Sequence, residues 1–267
     1  MKKICILAAA LIAAPAATMA HQINLSSDTG EQCNANINHR ITVGPDFIEA
    51  RDADDLDQLL FAYRAPDQLA VGDDGLILSP EQQQLMAKYQ QGLHQSGREI
   101  TLISAEAMNI ALDGVGIAMS ALAGPDNPDT LEFISDSEQL KEKLLAQVHQ
   151  NGDVYTLGGP EIDAGLEETF ERELEPRLEA LAKRSAGTIA WHAMKAVFTG
   201  GRSIERDAEA AAEAAEEAIE KKAETLESHA DALCALLEEI DATETTLHKA
   251  IPQLQKLDLI SMNPHKD

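Results

Sequence analysis

Leu69-Ala70-Val71-Gly72-Asp73-Asp74-Gly75-Leu76-Ile77-Leu78-Ser79-Pro80-Glu81-Gln82 decides the fold, because the pattern changes character at Ser79. Two short apolar runs flank Gly72-Asp73-Asp74-Gly75, the signature of strand, tight turn, strand. Ser79 then supplies a side-chain cap, Pro80 suits the first helical position, and Gln82 completes a capping box. Strands therefore precede this stretch and helices follow it. The fold class is α+β: a small N-terminal antiparallel β-sheet followed by a bundle of long α-helices.

Working back from Leu69, Ile41-Thr42-Val43 and Phe47-Ile48-Glu49-Ala50 flank a Gly44-Pro45-Asp46 turn, and Leu59 to Tyr63 forms another strand after an acidic run from Asp52 to Asp57. Four or five strands with so little apolar mass need cover on one face. Working forward, Leu85, Met86, Tyr89 and Leu93 have helical spacing, Gly92 and Gly97 are expected to loosen the helix, and Ile100, Ile103, Met108 and Leu112 continue it to Gly124-Pro125. A second helix covers about Thr130 to Gln150. Val154 to Leu157 is an isolated strand with the option of joining the N-terminal sheet. Gly159-Pro160 opens a further helical region, with Ile162, Leu166, Phe170 and Leu174 spaced by four, a kink at Pro176 and a break at Gly200-Gly201. The last helix runs from about Ile204 to Leu247. Its alanine stripe at Ala208, Ala211, Ala215 and Ala218 has the seven-residue period of a coiled coil and gives way to Leu233, Leu237 and Ile240, with glutamates on the outer face. The expected organisation is thus a signal peptide over 1–20, a flexible mature start over 21–36, strands over 37–78, a helical region over 79–250 and a flexible tail over 251–267.

The leader rests on Lys2-Lys3, an apolar run from Ile4 to Ala14 and small residues ending at Ala20. The run is shorter than the roughly twenty residues that span a bilayer, and no later run of spanning length is expected. Cys5 sits too early in the leader to be a lipidation site, so the reading is a soluble periplasmic protein without membrane insertion. That leaves Cys33 and Cys234, which an oxidising compartment favours as a disulfide. No Cys-x-x-Cys suggests a redox pair. Closing a loop of about two hundred residues is worth roughly 5 kcal/mol on the chain-entropy account.

The formal net charge is −25 and aromatic residues are only 3%. Such a chain repels nucleic acid and anionic lipid headgroups and attracts basic protein surfaces. Its core must be aliphatic and alanine-rich, which suits closely packed helices. No Gly-x-Ser-x-Gly elbow, His-Glu-x-x-His or phosphate-cradling glycine loop is present. The eight histidines show no ligand spacing, and His192 beside Trp191 reads as packing. Cleavage after Ala20 would give His21 a copper-capable N-terminus, but nothing in the sequence identifies a partner ligand. Asp52-Ala53-Asp54-Asp55-Leu56-Asp57 breaks the calcium-loop pattern, with Leu56 at a ligand position, Asp57 at the required glycine and Tyr63 at the closing glutamate. It reads as a solvated acidic loop. No catalytic residue, metal or cofactor is assigned.

The hairpin-to-helix stretch from Leu69 to Ser79, the following Glu81-Gln82-Gln83 and Lys88-Tyr89-Gln90-Gln91-Gly92-Leu93, the Ala196-Val197-Phe198-Thr199-Gly200-Gly201 helix end, and a cysteine near each end of the mature chain resemble the YggN-like family of uncharacterised periplasmic proteins of gammaproteobacteria. The likeness covers about Cys33 to Ile240. It implies a compartment and a fold, and no activity. Three function classes follow: a non-enzymatic protein binding a basic protein or an envelope component, which leads; a small-molecule or divalent-cation module; and an enzyme with dispersed catalytic residues.

Overall fold

The computed structural model describes residues 21–26, 32–123, 126–150, 153–158 and 202–262. The leader over 1–20 and the helical region expected from Gly159 to Gly201 lie outside them, as does His192. The described elements are β1 (His21–Ser26), β2 (Gln32–Ile37), β3 (Arg40–Gly44), β4 (Phe47–Arg51), β5 (Leu59–Arg64), β6 (Gln68–Val71), β7 (Asp74–Ile77), α1 (Pro80–Ala123), α2 (Pro128–Gln150), β8 (Tyr155–Leu157), α3 (Arg202–Ala250), a 3-10 turn at Pro252–Leu254 and β9 (Ile260–Met262). The architecture is α+β.

Successive hairpins build a six-stranded antiparallel sheet in the order β7-β6-β5-β4-β3-β8. The isolated strand predicted near 154–157 is β8, and it extends the sheet beside β3. Alternation assigns the faces: Ile41, Val43, Ile48, Ala50, Phe61, Tyr63 and Leu69 are buried and pack with Met86, Tyr89 and Leu93 of α1 and Leu233, Leu237 and Ile240 of α3. The helices are the cover that the sheet required.

At the start of α1 the capping box forms. Ser79 N–H donates to Gln82 Oε1 at 2.9 Å, and Gln82 N–H donates back to Ser79 Oγ at 3.4 Å. The helix then runs unbroken for 44 residues. Gly92 and Gly97, expected to loosen it, instead make room for neighbours. A Cβ on Gly92 would lie 2.9 Å from Ile240 Cγ1, and one on Gly97 would lie 2.5 Å from Tyr155 Cβ. α3, 49 residues long, runs antiparallel to α1, with Gln82 reaching Ala250 O, Lys88 pairing with Glu239 and Lys222 pairing with Asp113. Asp113 also takes Lys141 of α2 at 2.7 Å, so one carboxylate ties three helices. The alanine stripe from Ile204 to Ala218 belongs to helical backbone, but its side chains lie outside the described ones.

Two expectations need correction. The sequence predicts a flexible start over 21–36 and a flexible tail over 251–267. Most of the first is instead β-structure, and the second holds a 3-10 turn and the short strand β9, which pairs with β2. β2 pairs with β1 on one side and with β9 on the other, in a second sheet ordered β1-β2-β9. Ile251, Leu254, Leu259 and Ile260 are buried. The second correction concerns α1. By length and composition, Pro80–Ile117 contains a window that would cross a membrane, at mean hydropathy 1.4 with little of it buried, where the sequence reading expects no such run. The apolar residues lie in the second half of the helix, from Ile100 to Ile117, beyond Gly92 and Gly97. The Asp113 ion contacts bind that stretch to α2 and α3.

Candidate functional site

The side of the six-stranded sheet away from the helices carries the larger of two described cavities. Register places Gly44, Phe47, Arg64, Gln68 and Ile77 in one row across β3 to β7, and Thr42, Glu49, Ala62, Ala70 and Gly75 in the row beside it. Eight of these line a groove of about 560 Å³. Small residues Ala62, Ala70 and Gly75 leave its floor low. Phe47 and Ile77 stand at its sides, and Ile77 is 77% exposed. The Arg64 guanidinium lies 6.0 Å from the centre of the Phe47 ring, a cation held over an aromatic face. Glu49 is held by Arg51 at 2.6 Å. The groove therefore offers an apolar floor, one aromatic wall and a cation at the rim. Its volume falls within the range of small-ligand sites.

A second, smaller cleft of about 160 Å³ opens between α1 and α3, lined by Lys88, Gln91, Gln95, Leu236 and Glu239 among others. Tyr89, which also lines this cleft, interacts with the buried Glu244 of α3. Glu244 of α3 is 4% exposed. Burial pushes its carboxyl up to about 7, against the downward pull of the Leu259 and Ile260 N–H groups and the Tyr89 hydroxyl. Tyr89 is raised well above its ordinary value by burial and then by Glu244. Asp241 is raised by burial and then by Asp258.

The structure brings together Cys33 of β2 and Cys234 of α3 as a disulfide, with Cα atoms 6.0 Å apart. The acidic run is turned on itself: Asp52 Oδ1 accepts the N–H groups of Asp54 and Asp55, and Asp55 Oδ1 accepts that of Asp57. Those carboxylates serve their own loop backbone. Among the described residues no group of three or more His, Cys, Asp or Glu side chains is placed to hold a metal ion. His21 lies in β1, opposite Ile37.

Sequence reasoning misses both the groove and the Glu244 group. The groove exists only through strand register, so no local signal marks it. Glu244 leaves a signal: Leu233, Leu237, Ile240, Glu244, Leu247 and Ile251 alternate steps of four and three, which puts a glutamate on the apolar seam. Residues 33–260 match the model of a family described as protein of unknown function (DUF2884). No curated protein and no solved structure matches the chain.

Proposed function

The chain belongs to the DUF2884 family of proteins of unknown function, and from the geometry of its own sheet we propose that it is a non-enzymatic, exported binding protein that seats an apolar side chain of another protein or envelope component in the sheet groove. The observation that carries this is the groove itself: a low floor of Ala62, Ala70 and Gly75 beside a largely exposed Ile77. An isoleucine so exposed loses apolar hydration only when a partner covers it. The net charge of −25 selects a partner with a basic surface around that apolar contact. The leader over 1–20 supports export to the periplasm as a soluble protein. Within the family we place the chain with YggN-like periplasmic proteins, on the Leu69 to Ser79 stretch and the cysteine near each end.

A second reading, a small-molecule site in the same groove, is favoured by its volume. A photo-crosslinking residue in place of Ile77, compared with one in place of the exposed Gln84 on α1, separates the two. Protein adducts in envelope preparations from position 77 and not from 84 support protein binding. Equal yields from both positions, or no adduct from either, refute it.

A further inference from the structure

Cleavage after Ala20 makes His21 the first residue of the mature chain, and an N-terminal histidine is a chelate by its covalent structure, carrying an α-amine and an imidazole on one residue. A firm site needs a further nitrogen from elsewhere in the fold. The residues alone name no donor, but the strand register does.

β1 pairs antiparallel with β2, with His21 opposite Ile37 and Ser26 opposite Gln32. The start of β1 therefore lies at the end of β2, where the chain goes on through Asn38 to His39. Opposed residues are about 5 Å apart and each further residue adds about 3.4 Å, which keeps the two histidine Cα atoms within about 12 Å. Two histidines that each meet a metal at about 2 Å can close that span.

His39 is short of a partner. Its Nδ1 is buried and makes no hydrogen bond among the described residues. A buried imidazole nitrogen so placed is uncommon and costly, and a neutral ring nitrogen is what a metal takes. The residue is also firmly held. Just before it, Asn38 donates its backbone N–H to Leu259 O at 2.9 Å and its side-chain amide to Asp258 O at 3.0 Å. Just after it, Arg40 begins β3. Gly158 lies so close to His39 and Ile37 that no Cβ would fit there. A ligand at this junction of the two sheets keeps its place before any metal arrives.

We propose that His21 and His39 hold one divalent copper ion in the mature protein, through the α-amine and imidazole of His21 and the imidazole of His39. The site rests on the export reading, through removal of the leader after Ala20. Nitrogen donors of this kind favour copper, because affinity among the first-row divalent ions peaks there. The net charge of −25 draws cations to the protein from a distance.

The test uses mature, disulfide-intact protein purified from the periplasm, its mass measured first. A chain that starts anywhere but His21 overturns the site by way of the leader. For a chain that starts at His21, copper(II) is titrated against a competing chelator and the complex is examined by electron paramagnetic resonance. One equivalent should bind. H39A should weaken binding at least about tenfold, the range seen when even a supporting group of a metal site is lost, and should remove one nitrogen from the coupling pattern. H229A, on α3, should change neither. A Gly-Ser-Gly-Ser extension ahead of His21 leaves both imidazoles in place but removes the amine chelate, so it should weaken binding as much, and it probes the site even where H39A fails to fold. Unchanged affinity in either H39A or the extended chain overturns the site while the export reading stands.

Discussion

Replacing both cysteines, Cys33→Ala with Cys234→Ala, should lower the free energy of unfolding by about 3–5 kcal/mol. The bond spans 201 residues. On the chain-entropy account such a loop restricts the unfolded chain by about 5 kcal/mol, against about 3 for a fifteen-residue loop. Residual compactness of the unfolded chain reduces that figure, hence the lower bound. The structure adds a spatial expectation. Cys33 is buried in β2, and Cys234 lies next to the buried Leu233 on α3. Without the bond, β2 is held by its pairing with β1 and β9 and by its packing on α3, so amides of the β1-β2-β9 sheet should lose protection first. Those of β4 and β5, knit into the six-stranded sheet, should follow only with global unfolding. Thiol labelling of the denatured, unreduced wild type comes first and should find no free thiol. Urea unfolding of wild type and variant, followed by circular dichroism, then gives the difference, with a steeper denaturant dependence in the variant because its unfolded chain exposes more surface. A loss below about 1 kcal/mol in protein shown to be fully oxidised would refute the reasoning, as would two reactive thiols in the native preparation.

On α3, Leu233→Ala and Leu237→Ala should each cost about 2–5 kcal/mol, because both are fully buried, whereas exposed Glu238→Gln should stay within about 0.5 kcal/mol in the same urea assay. Gly92→Ala should cost about 1–3 kcal/mol despite better helix propensity, since Ile240 must move from a 2.9 Å approach; a stabilised variant would mean that α1 and α3 are less closely packed there. Burial pushes the Asp113 carboxyl up, but hydrogen bonds from Lys141 and Lys222 outweigh it and hold it below its ordinary value. Its contribution is therefore present at neutral pH and lost as pH falls through that lowered value. Asp113→Asn should cost about 1 kcal/mol at pH 7, a modest figure because Lys222 is partly exposed, and the gap from wild type should shrink towards pH 3. If the ion contacts on α1 mark a bundle rather than a membrane span, the protein should leave washed membranes without detergent, and retention after a high-salt wash would reverse that reading.

Local chemistry was legible in the residues, and long-range chemistry was not. Ser79 and Gln82 cap α1 because the interaction lies within one turn. Strands β3 to β7 follow from runs joined by short turns. Gly92 reads as a weak point when only helix propensity is weighed, because its role depends on Ile240, which is distant in sequence. β1 and β2 carry polar, turn-like residues such as Gln32, Asn34 and Asn36, and they become a sheet only through β9 and α3. Glu244 is hidden for the opposite reason: in a helix with so many solvated glutamates, one on the apolar seam is easily counted with the rest.

The second sheet also sets an order of assembly. Its middle strand, β2, is among the first described segments a ribosome would deliver, while β9 and α3 are the last. The β1–β2 hairpin alone is marginal in water, so the leading end waits in an unfinished state while β3 to β7 zip together by near-neighbour pairing. Cys33 spends that interval without its partner. Completion then comes in one closing event of high sequence separation, which is slow relative to local folding. A chain cut short before Leu259 would retain its six-stranded sheet yet leave both ends of the molecule unfastened.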